Sequence, residues 1–268
     1  RVDALRKLRR LASVEGQLTL WIQSNRTTDS TVTIARLRAL AELLAVQLGD
    51  LRSQVVREAC ETACSLAGEL KAGFFGEIFA ESIVPVLLRN AAVTIQVICE
   101  SSSDALKWMI QNARIPARVL NKLVESVRTI EKGSSKSTRA IAAESMFLML
   151  QHQSRTEVDK LLRALSSALP EALRDASEAV RVFARKTFVL FERMYPDPAE
   201  TIVLSLSSAV LKALSIERQS LARTIRIPLT NTPAVAASTT RTRLGTASRS
   251  DKVSSQLKKR MNPTKASA

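Results

Sequence analysis

The feature that most limits what this chain can become is a recurrence. Between Asp50 and Leu70, the residues Val55, Val56, Ala59, Cys60, Ala63, Leu66, Ala67 and Leu70 fall three and four positions apart, which places them on one face of a helix. Asp50 precedes that stripe, where a carboxylate accepts from the free N–H groups of a first helical turn. Arg52, Ser53, Gln54 and Arg57 lie at the opening, off the apolar side. Similar openings come at Asn90, around Ser135 and at Asp175, each followed by a second, shorter apolar helix. The interval is about 40 residues, the period of HEAT or armadillo helix pairs. Each pair leaves an apolar face bare until it stacks on the next, so the expected fold is an all-α superhelix of HEAT repeats.

Composition supports that reading. Seven Gly and one Tyr in 268 residues are too few turn glycines and aromatics for a protein of hairpins and strands. The pattern predicts a helix from Arg1 to Ala12, a polar interruption around Ser24 to Ser30, and a helix from Thr31 to Leu48 closed by Gly49. Asp50 then opens the anchor helix, and after Gly73 another runs to Arg89 with a kink at Pro85. Asn90 is expected to start the next, Pro116 stands at a helix opening, and Gly133 to Ser137 form a loop. Ile141 to Leu150 pairs with Val158 to Leu173, interrupted or recapped at Pro170. Asp175 opens the following helix, which Pro196 and Pro198 end, and a last one spans Ala199 to Leu214.

Residues 222–268 break the pattern. They hold ten Lys or Arg and one acid, +9 of the chain's net +15, which leaves +6 for the body. Rich in Ser, Thr and isolated Arg and poor in large apolar residues, they read as a disordered basic linker after a folded domain at 1–221. Three cysteines, none in a close C-x-x-C pair, give no disulfide framework and suggest a reducing compartment. Cys60 and Cys64 share a helix face and, with Cys99 or His152, are conceivable metal ligands, but small thiols on an apolar face are ordinarily core. No metal or other cofactor is expected. The chain shows no membrane span and no secretory signal, and its start at Arg1, without Met and inside a helix, reads as a fragment of something longer.

If successive pairs stack in register, the turns inside them line one narrow edge. The second turn then offers Arg52, Gln54 and Arg57, the third Asn90 and Thr94, the fourth Lys136 and Arg139, and the fifth Arg181, Arg185 and Lys186. Solvated charge at helix ends is common, but cations at helix openings oppose the macrodipole, which favours negative groups there. Their repetition makes sense if an acidic partner supplies the missing charge.

The segments DLRSQVVREAC at 50–60 and EAVRVFARKTF at 178–188 resemble the second TOG domain of the CLASP family of microtubule-associated proteins. RVDALRKLRRL at the start, ESIVPVLLRN at 81–90 and SSKSTRAI at 134–141 extend the resemblance over about 1–214 in order. It implies a TOG-domain paddle whose intra-repeat turns bind αβ-tubulin and microtubules, with Arg52, Ser53, Gln54, Asn90, Lys136, Arg139, Arg181, Arg185 and Lys186 as contact residues. Arg185 or Arg57 is alternatively a brace between turns. It further implies rescue promotion and catastrophe suppression at plus ends and in the spindle, a cytoplasmic and cytoskeletal location extending to the kinetochore, and end-binding protein partners through regions outside this chain. Two positions depart from the family pattern. The first-turn tryptophan would precede Arg1, with Trp21 a poor substitute, and Val93 stands where relatives tend to carry lysine.

Other classes fit less well. A HEAT scaffold for another acidic protein shares the fold, while nucleic-acid binding through the basic tail lacks aromatic residues for stacking. The tail's IRIP at 225–228 misses the Ser/Thr-x-Ile-Pro pattern for end-binding proteins, and its Lys258–Arg260 cluster is too short to specify a nuclear signal. One His, no clustered carboxylates and no Gly-rich phosphate loop leave no set of catalytic groups, and GFFG at 73–76 reads as a turn.

Overall fold

The computed structural model describes residues 1–13, 17–70, 74–128 and 135–224, and among them every regular element is helical. The chain runs through α1 (Val2–Ser13), α2 (Gln17–Leu48), α3 (Ser53–Glu69), α4 (Phe74–Ile78), α5 (Ala80–Asn90), α6 (Gln96–Asn112) and α7 (Ala117–Arg128). It continues with α8 (Lys136–His152), α9 (Arg155–Asp159), α10 (Leu162–Leu173), α11 (Glu178–Met194), α12 (Pro196–Leu204) and α13 (Ser208–Thr224). Helices α1, α3, α6, α8, α11 and α13 pack side by side as one layer, and α2, α5, α7, α10 and α12 form the other. Helix–turn–helix units stacked in two layers bury apolar faces only between neighbours, the arrangement that repeat proteins require.

Each first-layer helix from α3 to α11 has a close second-layer partner before it in sequence: α2 with α3, α5 with α6, α7 with α8, α10 with α11. The turn inside each unit therefore precedes the first-layer helix, and α1 is itself a first-layer helix. Between the layers lie the anchor-helix residues Val55, Val56, Ala59, Ala63, Leu66 and Ala67, all at most 3% exposed. Phe75 and Phe79 of the α4–α5 segment and Phe188 and Phe191 of α11 are also fully buried.

Several sequence expectations are corrected. Helix α2 is continuous from Gln17 to Leu48, so the polar stretch at Ser24–Ser30 does not interrupt it. Hydroxyl and Asn residues weaken a helix by tenths of a kcal/mol each, and no Gly or Pro stands there to stop it. Pro85 and Pro170 lie inside α5 and α10, while the lapses in helical bonding fall upstream, at Phe79 and at Lys160–Leu161. Phe79, Lys160 and Leu161 all keep right-handed helical backbone angles, so the chain runs on through each lapse. Residues 74–76 of GFFG belong to α4 instead of a turn, and Gly73 lies outside the described residues. A Cβ at Gly76 would meet the Arg114 carbonyl oxygen at 2.2 Å, so the close approach of α4 to the turn before α7 requires glycine. The final helix extends to Thr224, past the expected boundary at 221/222, and the rest of the expected linker lies outside the described residues.

No helix among the described residues is long and apolar enough to cross a membrane. Cys60 is buried against Ser102, Cys64 is half-buried, and Cys99 donates to the Ala91 carbonyl at 3.0 Å. No group of three or more His, Cys, Asp or Glu side chains among the described residues is placed to hold a metal ion.

Candidate functional site

The turns before α3, α6, α8, α11 and α13 are here numbered 2 to 6, turn 1 being the one that would precede α1. Asp50 and Asp175 organise turns 2 and 5 by the same device. Each stands two residues before its helix's N-cap and accepts from that N-cap's backbone N–H, Arg52 at 2.9 Å and Ser177 at 2.7 Å. This is an Asx-turn, in which a short carboxylate closes its own loop. Both aspartates were expected to cap the helices directly, and the structure moves each outward by two positions.

Each carboxylate is also gripped by an arginine from the neighbouring unit. Arg1, at the opening of α1, reaches Asp50 at 2.7 Å, and Arg139, in the first turn of α8, reaches Asp175 through Nε at 2.7 Å and Nη2 at 3.2 Å. Since each bond joins the opening of one first-layer helix to the opening of the next, α1 and α3 run parallel, as do α8 and α11, with their N-termini side by side. Asn90 adds another rung, its amide donating to the Leu48 carbonyl at 2.6 Å, and Arg174 of turn 5 bonds Ser205 of turn 6.

These bonds hold the carboxylates in the charged state. At Asp50 the Arg52 side chain and N–H, joined by Arg1, keep the carboxyl far below the usual range against a smaller opposing effect of desolvation. At Asp175 burial pushes the carboxyl up, and the Arg139 guanidinium with the Ser177 N–H outweighs it, leaving the carboxyl below its ordinary value.

The expected contact residues divide accordingly. Gln54, Arg52 and Lys136 are exposed at the edge, with Ser53 half-buried beside them. Arg52 chelates Asp50 through Nε and Nη2 at 3.0 and 2.8 Å yet leaves 62% of its side chain in solvent. Lys186 holds its amine 5.3 Å from the Phe183 ring centroid, partly exposed. Arg181 spends Nη1 on the Asp175 and Ala176 carbonyls at 2.6 and 2.9 Å, and it shares Glu178 with Arg185, whose bond is 2.8 Å long. Two expectations fail on placement. Asn90 ends α5 instead of opening α6 and is buried, and Arg139 is only 11% exposed, because each is consumed in bracing one turn against the next.

Two residues beside the row were not singled out from the sequence. Arg89 is exposed in the last turn of α5, a cation immediately before Asn90. Leu51, next to Asp50, is 89% exposed. A cation in the closing turn of the preceding helix is the signal that marks Arg89.

The opposite edge is built differently. Glu157 accepts from the Ala117 N–H at 2.7 Å, Arg114 and Lys160, while the Gln153 side chain bonds the Ile110 and Ala113 carbonyls and the Ile115 N–H. Tyr195 donates to Asp159 at 2.5 Å beneath the Arg155 guanidinium. There the polar groups face one another, and this edge works as a fastening.

A family model described as CLASP N terminal matches residues 18–215. The chain belongs to the CLASP N-terminal family. Among relatives of this CLASP domain, a CLIP-associated protein of Arabidopsis thaliana is 29% identical over 191 residues, covering 71% of this chain and 13% of that protein. A CLIP-associating protein of Drosophila melanogaster is 28% identical over 217 residues, covering 81% of this chain and 14% of that one. The CLASP chain described here thus spans about a seventh of the length of these relatives.

Solved structures fix the fold of this CLASP domain as that of a TOG domain. A structure of crescerin, described as using a TOG domain array to regulate microtubules in the primary cilium, matches 75% of this chain and 88% of its own at a TM-score of 0.51 and 18% identity. One from a study of tubulin recruitment and assembly by microtubule polymerases with TOG domain arrays matches 70% of this chain and 37% of its own at the same score and identity.

Proposed function

We propose that this CLASP domain binds the αβ-tubulin dimer along the edge formed by turns 2 to 5. The observation that carries the reading is the alignment of helix openings, braced by Arg1–Asp50 and Arg139–Asp175, that leaves Arg52, Gln54 and Lys136 in solvent and Lys186 partly exposed. Bracing matters because exposed ion pairs contribute only ~0 to 1 kcal/mol each, so useful affinity needs several contacts presented together in fixed register. Arg181 and Arg185 shape turn 5 and lend it positive potential, Asn90 and Arg139 hold the spacing, and Ser53 and Arg57 flank the row. An acidic partner gains long-range attraction and faster association, both weakened by salt. The tubulin recruitment described for a TOG-array neighbour supports tubulin as that partner.

This binding serves to stabilise dynamic microtubules by promoting rescue and suppressing catastrophe at plus ends and in the spindle. It places the protein on the cytoskeleton, with end-binding proteins engaged through other regions. Gel filtration of the full chain with unpolymerised tubulin tests the reading: co-elution that weakens as salt rises is expected, and separate elution at low salt refutes it. Microtubule pelleting against competing RNA distinguishes this from nucleic-acid binding, since RNA should not displace the chain.

A further inference from the structure

Turns 2 and 3 add exposed apolar surface to the charge that Arg52 and Arg89 carry there. Leu51 is 89% exposed, Val93 37%, Ile95 48% and Val97 45%. The two turns abut, because the Asn90 amide bonds the Leu48 carbonyl at 2.6 Å. Leu51 lies three residues past Leu48, and Val93, whose N–H donates to the Asn90 carbonyl at 3.1 Å, lies three past Asn90. The apolar side chains therefore sit on neighbouring turns of the same edge.

Nothing in the fold asks for them. Ile95 occupies the N-cap of α6, where Ser, Thr, Asp or Asn would satisfy a free N–H and where Ile makes no such bond. Leu51 packs so little that its burial adds almost nothing to the core. An exposed apolar cluster rimmed by polar groups is the usual mark of an interaction surface.

We propose that Leu51, Val93 and Ile95 form an apolar anchor for the tubulin dimer, next to the cations that attract it. This rests on the tubulin reading above. The occupant follows from continuity: Leu51 immediately precedes Arg52 and is three residues from Gln54, so a partner covering those two covers Leu51 as well. A second copy of the chain is disfavoured, since it would set one basic edge against another. Exposed cations around a dry apolar centre reproduce the layout in which few buried residues carry most of the affinity. The two parts of the edge then differ in salt response: charge attraction is screened, and apolar burial is not.

The test titrates the full chain with unpolymerised αβ-tubulin at about 50 and about 200 mM salt, a range over which screening changes markedly. A L51S/V93S/I95S variant is compared with the unaltered chain and with K136E/K186E. The apolar variant is expected to bind about tenfold more weakly or worse at both salt concentrations, consistent with loss of a central apolar cluster. The charge variant is expected to weaken mainly at low salt. Melting of the apolar variant should match the unaltered chain or rise slightly, because the side chains are exposed and I95S supplies a capping hydroxyl at the start of α6. Should that variant fail to fold, L51S alone, at the most exposed site, carries the same test. Unchanged tubulin binding by the apolar variant overturns the proposal and leaves the charged row standing. Self-association of the unaltered chain that the apolar variant loses, with tubulin binding intact, overturns it in favour of a second copy. Absence of tubulin binding by the unaltered chain overturns the tubulin reading and the anchor with it.

Discussion

Replacing Asp175 with Ala removes the post that holds turn 5 to turn 4. The wild-type carboxylate is 1% exposed and accepts from Arg139 Nε at 2.7 Å, Arg139 Nη2 at 3.2 Å and the Ser177 N–H at 2.7 Å. The substitution leaves Arg139, only 11% exposed, without its buried counter-charge. Breaking a buried pair from one side costs about 3 to 5 kcal/mol, and in a body of this size each kcal/mol moves a melting midpoint by roughly 2 to 4 °C. The expected fall is about 6 to 20 °C, and hydrogen exchange should place it at α8 and α11, since repeats couple chiefly to their neighbours. A double variant, R139M/D175A, removes both charges and should recover part of the loss, with a coupling of about 2 kcal/mol in the double-mutant cycle. The pH dependence has a definite sign. Because the folded carboxyl titrates below its ordinary value, the stabilisation is complete above the unfolded pKa of about 4 and drains away as pH falls through the folded value. The wild type should thus lose stability below about pH 4, and Asp175→Ala should lose less over the same interval. A midpoint for Asp175→Ala within about 1 °C of wild type, or a double variant as unstable as the single, would refute the bracing role.

Reversing Lys136 and Lys186 to Glu should weaken tubulin binding by about tenfold at low salt, the sum of two surface pairs of ~0 to 1 kcal/mol each turned from attraction to repulsion. Melting should hold or rise slightly, because a carboxylate in the first turn of α8 suits the helix dipole; a large fall in melting temperature would assign the lysines to the fold. Gly76→Ala should destabilise by about 1 to 3 kcal/mol, since the new methyl falls 2.2 Å from the Arg114 oxygen and 2.8 Å from Pro116 Cδ; an unchanged denaturation midpoint would contradict that contact. Burial pushes the Cys60 thiol up to about 11 and the Cys64 thiol up to about 12. At pH 8 both should therefore resist thiol reagents in the folded chain and react fully in denaturant, and prompt labelling of the native protein would contradict their placement.

The helices of the core were legible because apolar periodicity reports burial directly. Val55 to Ala67 and Val119 to Val127 lie where their spacing puts them. Less legible were features decided by a partner distant in sequence. Asp50 and Asp175 have the composition of N-caps, and only the arginines 49 and 36 positions away show that they are posts between turns. Asn90 and Arg139 look like exposed polar residues at helix openings, whereas the stacking buries them against neighbouring turns. Prolines 85 and 170 stay within helices because tertiary packing outweighs the loss of one backbone bond apiece. The exposed Leu51 and Ile95 were hidden by their own chemistry, since an apolar residue beside an apolar stripe reads as more of the stripe.

Site-specific photo-crosslinking to unpolymerised tubulin tests the interface most directly. A photoreactive side chain is placed in the full chain at Gln54 or Lys136 on the turn edge, and at the exposed Ser154 on the opposite one. Adducts with tubulin from positions 54 and 136, fading as salt rises, and none from 154 are the expected result. Adducts from 154 with none from 54 or 136 would put the partner on the fastened edge and contradict the assignment.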